Sequence, residues 1–186
     1  MKRIALFLFA MVAMCANAQE INLDKSDENT RLIMCASESM RSFSDKVIFE
    51  CALSRTEINK RVEWQLSLTI KQLYPITINK GSRLLIKMSD DSIIELKTIN
   101  EQSDEIGNSK IVGSSVISQY TIFPIYSITE EQIAKISQGV KKIRVETSLE
   151  AIDKEFKNDK MGKIIEGQYK VISERAKTSN NFSEGF

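Results

Sequence analysis

The amino-acid sequence predicts an α+β fold, mainly β, with antiparallel strands arranged as a β-sandwich-like domain, a short inserted helix and a C-terminal helix. Three observations carry this reading. Apolar and polar residues alternate with period two through Trp64–Ile70, Leu84–Met88 and Ile93–Lys97, as half-buried antiparallel strands require. Turn residues, Asn79-Lys80-Gly81-Ser82 and Ser89-Asp90-Asp91-Ser92, punctuate these runs, with Gly81 supplying the positive φ that tight turns use. Near the C-terminus the period changes: Met161, Ile164, Ile165, Gln168, Tyr169, Ile172 and Ala176 recur at helical spacing.

Taken in order, the chain of 186 residues opens with basic Lys2-Arg3, an apolar run from Ile4 to Cys15, and Ala16-Asn17-Ala18. This is the pattern of a signal peptide over residues 1–18. A lipid anchor on Cys15 is the competing reading, but Met14 stands where that motif carries Gly, Ala or Ser. Residues 19–30 are polar and acidic and read as a flexible leader. A single β-rich domain is expected over residues 31–177, ending in a disordered tail at 178–186.

Arg31–Ala36 and Val47–Leu53 are apolar runs flanking the polar stretch Ser42–Lys46, which suits a hairpin. Centred on Phe43, that hairpin would set Cys35 opposite Cys51. Two readings stay open: a disulfide, which an exported protein permits, or two small thiols on the core face. Ser54–Arg61 reads as a charged connection, and the Trp64 strand ends before Tyr74-Pro75. A short strand follows at Ile76–Ile78. The polar interruption from Asn100 to Gly113 predicts a surface loop. Val116–Phe123 resumes the strand pattern, ended by Pro124. Thr129-Glu130-Glu131-Gln132 is a capping box, with Ile133 and Ile136 on the buried side of a short helix and Gly139 at its stop. Val140–Glu146 alternates again, Ile143 and Val145 inward. The last helix should begin near Lys160, with Asn158 or Asp159 capping it. Gly162 and Gly167 each cost it about 1 kcal/mol relative to alanine, so packing must hold it.

Composition removes several chemistries. The chain has no histidine, which excludes any Ser-His-Asp, Cys-His or His-metal arrangement within it. Its net charge is +1, and removal of Lys2 and Arg3 would make it −1; no basic block marks a nucleic-acid partner. No second long apolar run follows, so no transmembrane segment is expected after signal cleavage. Asp90-Asp91 lacks the spacing of a calcium loop and reads as a turn. Gly113-Ser114-Ser115 lacks the G-x-S-x-G elbow, and there is no phosphate-binding loop, dinucleotide fingerprint or C-x-x-C. No catalytic, cofactor or metal-ligating set emerges. Asn181-Phe182-Ser183 fits N-x-S, relevant only to a eukaryotic-type host. Tyr120, Phe123 and Tyr126 form the densest aromatic patch, a candidate anchor for a partner because such side chains concentrate at binding hot spots.

The strand Trp64–Ile70, the phrase Tyr74-Pro75-Ile76-Thr77-Ile78, the hairpin Leu84–Leu96 and the Ile128–Gln132 helix start followed by Lys142-Ile143-Arg144-Val145 resemble small exported proteins of unknown function from gut Bacteroidetes, over about Trp64 to Lys154. The resemblance implies an exported or diderm-envelope location and nothing about activity. In that setting Asp91-Ser92-Ile93 looks like a three-residue O-glycosylation pattern, with Ser92 the acceptor. The expected function is a non-enzymatic exported module, periplasmic or extracellular, that binds a protein or glycan or serves structurally. A hydrolase using paired carboxylates or a Ser-Lys pair is the first alternative. An inhibitor presenting the 100–113 loop is the second.

Overall fold

The computed structural model describes residues 19–41, 46–103, 105–112 and 115–178. The expected signal segment, the expected hairpin loop at residues 42–45, residues 113–114 and residues 179–186 with Asn181 lie outside the described residues. In chain order the elements are β1 (Ile21–Ser26), β2 (Thr30–Cys35), β3 (Glu38–Ser39), β4 (Ile48–Ile58), β5 (Arg61–Gln72), β6 (Thr77–Ile78), β7 (Arg83–Met88), β8 (Ile93–Lys97), β9 (Gln102–Ser103), β10 (Glu105–Val112), β11 (Ser115–Ile122), β12 (Ile125–Ile128), helix α1 (Glu130–Ile136), β13 (Val140–Glu146), β14 (Ala151–Glu155) and helix α2 (Met161–Lys177). The fold is α+β and mainly β, and every strand pairing among the described residues is antiparallel.

Among these residues a large sheet runs β1-β2-β4-β5-β11-β10, with β3 added to β4 and β12 to β5; a smaller one runs β14-β13-β7-β8, and β6 pairs β9. The two larger sheets meet where the chain leaves β8. Thr98 bridges to Tyr126, and Ile99 N–H donates to the Ile125 carbonyl at 2.9 Å. Both sheets turn one face to a shared core. It is built from Phe49, Cys51 and Leu53 of β4, Trp64, Leu66, Leu68 and Ile70 of β5, Leu84 and Ile86 of β7, Ile143 and Val145 of β13, and Ile164, Ile165 and Ile172 of α2. A sheet face and a helix stripe that bury each other form the usual two-layer unit.

Several expectations need correction. Residues 21–26 are not a leader: they form β1, whose register on β2 runs from Ile21–Cys35 to Ser26–Arg31. The charged stretch Ser54–Arg61 is the tip of an unbroken β4–β5 hairpin, closing at the Ile58–Arg61 pair. Asn59 and Lys60 supply φ of +49° and +68°, the left-handed pair that a two-residue hairpin turn requires. The expected 100–113 loop is strand: β9 pairs β6 and β10 pairs β11. Its polar composition suits an edge position, where one side of a strand faces water.

The helices follow their sequence signals closely. Thr129 accepts from Gln132 N–H and the Gln132 side chain accepts from Thr129 N–H, completing the capping box. Asp159 does the work at the start of α2, accepting from Gly162 N–H at 2.8 Å and from Val140 N–H at 3.1 Å. Gly162 is a close-approach position. A Cβ there would lie 2.7 Å from the Ile136 carbonyl and 2.5 Å from the Asp159 carboxylate, so glycine lets α2 abut the end of α1.

Candidate functional site

The aromatic trio does not form one patch. β11 and β12 keep a single register on β5, from Tyr120–Gln72 and Ile122–Ile70 through Tyr126–Leu66 to Ile128–Trp64. Leu68 N–H donates to the Pro124 carbonyl across the interruption. Side chains along a strand alternate faces, so Tyr120 and Tyr126 fall on the core face and Phe123 on the other. Tyr126 is fully buried, Tyr120 packs half-buried against the core, and Phe123 is 43% exposed. Burial raises the Tyr126 phenol well above its ordinary pKa, and among the described residues its hydroxyl has no hydrogen-bond partner. The patch expectation therefore reduces to Phe123, whose backbone is held by polar side chains. Its N–H donates to Gln102 Oε1, and its carbonyl accepts from Asn100 Nδ2 at 3.3 Å.

Cys35 and Cys51 are free, buried thiols, which corrects the cross-strand pairing. The β2–β4 register sets Met34 opposite Ser54 and thus Cys35 opposite Leu53, while Cys51 lies opposite Glu38. The β2–β4 register differs by two residues from a direct Cys35–Cys51 pairing, so the cysteines sit diagonally on the core face. Burial, reinforced by the Glu38 charge, raises the Cys35 thiol to about 11 and Cys51 further in the same direction. Between them α2 places Gln168, wholly buried. Its Oε1 accepts from Leu53 N–H at 2.7 Å, and its Nε2 donates to the Ala36 carbonyl at 3.1 Å. Gln168 thus satisfies backbone groups that the β2–β3 irregularity leaves unpaired.

Ser92 is exposed in the β7–β8 turn, as expected of an accessible site, and its Oγ donates to Asp90 Oδ1 at 2.6 Å. Hydrogen bonds from the Ser92 side chain and backbone lower the Asp90 carboxyl. Asp91, at φ +68°, pairs with Lys87 and Lys141, and their hydrogen bonds lower its carboxyl as well. On the same small sheet Asp153 holds Arg144 at 2.6 Å and Lys142 at 2.7 Å, the Arg144 hydrogen bond being the chief reason its carboxyl is depressed. These exposed pairs are worth little individually.

A second ionic cluster is more enclosed. Arg31 pairs with Asp24 at 3.2 Å and donates to the carbonyls of Arg175 and Ala176 at the end of α2, while Arg175 reaches Asp24 at 2.7 Å. A cation against the last carbonyls of a helix is favourably placed. Burial of Asp24 works against its charge, but hydrogen bonds from Arg31 and Arg175 outweigh it and hold the carboxyl below its usual range. The cluster borders a polar cleft of about 610 Å³ lined by Asp27, Glu28, Arg31, Glu57, Lys60 and Lys177.

The feature sequence reasoning missed is the outer face of the large sheet. Its residues follow from the registers: Leu23 and Lys25 on β1, Leu32 and Met34 on β2, Ile48, Glu50, Ala52, Ser54 and Thr56 on β4, Arg61, Glu63, Gln65, Ser67, Thr69 and Lys71 on β5, Phe123, Ile125 and Ser127 beside them. Ala52 lies opposite Ser67, and Ser67 opposite Ile125. Leu23, Leu32, Met34, Ile48 and Ile125 are half-buried, yet none belongs to the core cluster or packs against it. Small Ala52, Ser67 and Thr69 form a floor between larger rims. Several polar atoms here are partnered within the sheet: Ser67 Oγ donates to the Ala52 carbonyl at 3.2 Å, Ser54 Oγ to the Gln65 carbonyl at 3.5 Å, and Lys71 pairs with Glu50 at 2.7 Å. The signal lay in the non-core positions of β4 and β5, where Ala52, Ser67 and Thr69 occupy the middle of the face and the charges Lys25, Arg61 and Glu63 fall toward the end at the β4–β5 turn.

Among the described residues no group of three or more acidic or cysteine side chains is placed to hold a metal ion, and no helix is long and apolar enough to cross a membrane. No protein-family model, curated protein or solved structure matches the chain.

Proposed function

We propose that the chain is an exported, non-enzymatic module of the bacterial envelope that binds a protein partner through the outer face of its large sheet. The observation that carries this reading is the composition of that face. Six apolar side chains, Leu23, Leu32, Met34, Ile48, Phe123 and Ile125, surround a floor of small residues in which the Ser67 hydroxyl bonds within the sheet. Burying such a face releases apolar surface from water and strands few polar groups, which is the usual obstacle to burial. Phe123, whose backbone is held by Asn100 and Gln102, is an anchor with little main-chain freedom to lose. Export rests on the Lys2–Ala18 pattern.

The hydrolase alternative needs a carboxyl raised toward neutrality to act as general acid. The displaced carboxyls here, Asp24, Asp90, Asp91, Glu146 and Asp153, all move downward. The inhibitor alternative needs a presented loop, and residues 105–112 are a paired strand.

The test is affinity capture from envelope fractions with the wild type and with Phe123→Ser and Ser67→Lys, read by quantitative mass spectrometry. A partner held stoichiometrically by the wild type and lost from both variants supports the reading. A partner retained by both variants contradicts it.

A further inference from the structure

We infer that Gln19, the residue that signal cleavage exposes, is a modification site: its side chain closes on its own α-amine to give an N-terminal pyroglutamyl lactam seated on helix α2 at Gly167. The inference rests on the export part of the reading above, in which the chain is cut after Ala18. Three observations point to it.

The first is the residue at the cut. Ala16-Asn17-Ala18 is followed directly by Gln19, so cleavage there places a free α-amine on a residue whose side chain ends in a carboxamide. An α-amine of ordinary pKa, about 8, is partly neutral near neutral pH and is then a nucleophile. Its nitrogen attacks Cδ, the Cδ–Nε2 bond breaks, and Nε2 leaves as ammonia with the proton that the α-amine gives up. A five-membered lactam remains. The step draws on no oxidant, metal or co-substrate.

The second is the seat. This end of the fold is tied down, unlike most chain termini. The Glu20 carbonyl accepts from Ala36 N–H at 2.8 Å, and Gln19 Nε2 donates to the Ile164 carbonyl at 3.1 Å. The carboxamide lies over Gly167, in space that a Cβ would occupy, which gives this helix-interior glycine a packing role. The open side chain is poorly satisfied there. Among the described residues its Oε1 is buried with no hydrogen-bond partner, an arrangement that costs free energy. The seat therefore does not depend on the open form. The lactam keeps amide chemistry, a carbonyl and one N–H, in a flat ring that takes the carboxamide's place over the glycine.

The third is charge. Lys163 and Lys170 stand one turn on either side of Gly167, and with Glu166 they line a surface pocket of about 440 Å³ beside it. Glu166 is already paired with Lys170 at 2.6 Å. An open terminus would add an α-ammonium on residue 19 next to these two lysines. The lactam is neutral and removes that repulsion.

The experiment is mass spectrometry of the processed protein, taken from producing cells directly into denaturing acid and read both intact and as its N-terminal peptide. It compares the wild type with Gln19→Asn, whose side chain is one methylene too short for the same ring. The expected wild type begins at residue 19, is lighter by one ammonia and resists labelling of its α-amine. Gln19→Asn should begin at the same residue, keep its full mass and accept the label. A wild type that begins at Gln19 with full mass and a labelled α-amine overturns the inference, while the export reading stands. Loss of ammonia that persists in Gln19→Asn belongs to another residue and overturns it too. A chain that keeps residues 1–18, or begins at any other residue, overturns the inference together with the cleavage on which it rests.

Discussion

At the scale of single residues, two polar side chains hold parts of the chain that hydrophobic patterning leaves loose. Gln168 was legible as part of the buried stripe of α2, but its role was not. Nothing in the local sequence announces that the β2–β3 strand departs from its register and leaves backbone groups for a helix side chain to satisfy. Gln168→Leu keeps the volume and removes both bonds, to Leu53 N–H and the Ala36 carbonyl. We expect a loss of about 2–4 kcal/mol, since buried unpaired backbone groups cost about 1–3 kcal/mol each, measured by urea unfolding. Asp24 is the second case, joining β1 to the end of α2 through Arg31 and Arg175. Its carboxyl titrates lower in the folded chain than the ordinary 3.8. The unfolded state therefore binds the proton first as pH falls. The stabilisation is complete above about pH 5 and is lost as pH falls below the ordinary value and through the folded one. Asp24→Asn should lower the melting temperature at pH 7 and flatten its further decline between pH 4 and 2. An unchanged acid limb would show that the cluster contributes nothing.

Among the elements, those with strong periodicity or a cap were readable. The α1 capping box, the β7–β8 hairpin and the start of α2 fall where their residues place them. What escaped was long-range. β1 is held by its pairing with β2 and by Asp24, neither visible in the polar stretch 19–30. β10 has too few apolar residues to read as a strand, and its partner β11 supplies the ladder. The cysteine pairing failed because hairpin register depends on loop geometry, and a small displacement of its centre moves Cys35 opposite Leu53. Gly162 shows packing outweighing propensity. Alanine would gain about 1 kcal/mol as a helix former. The new Cβ would press on the Ile136 carbonyl and displace the Asp159 cap, and overpacking of this kind costs about 1–3 kcal/mol. Gly162→Ala should therefore destabilise the protein in thermal unfolding. A higher melting temperature would mean that α1 and α2 can separate at no cost.

For the whole molecule, the sheets have two faces with opposite characters. The core face gathers Trp64, Leu66, Leu68 and Ile70 against α2, with Trp64 Nε1 donating to Glu130 and its ring 5.1 Å from Tyr169. The mainly β architecture was legible because that face alternates so regularly. The proposed binding surface was not, because it is assembled from the complementary positions of five strands. Only registers reveal that Leu32, Met34, Ala52, Ser67, Phe123 and Ile125 share one side. The small sheet presents the contrasting case, an outer face of paired Arg83, Lys142, Arg144, Glu146 and Asp153 that suits contact with water. The most direct test of the account is site-specific photo-crosslinking in the producing cell, with the probe at Ile125 on the large-sheet outer face, at Glu95 on the small sheet, and at Lys163 on the exposed side of α2. The account expects a discrete adduct from Ile125 and none from Glu95 or Lys163. Adducts from Glu95 or Lys163 with none from Ile125 would contradict it.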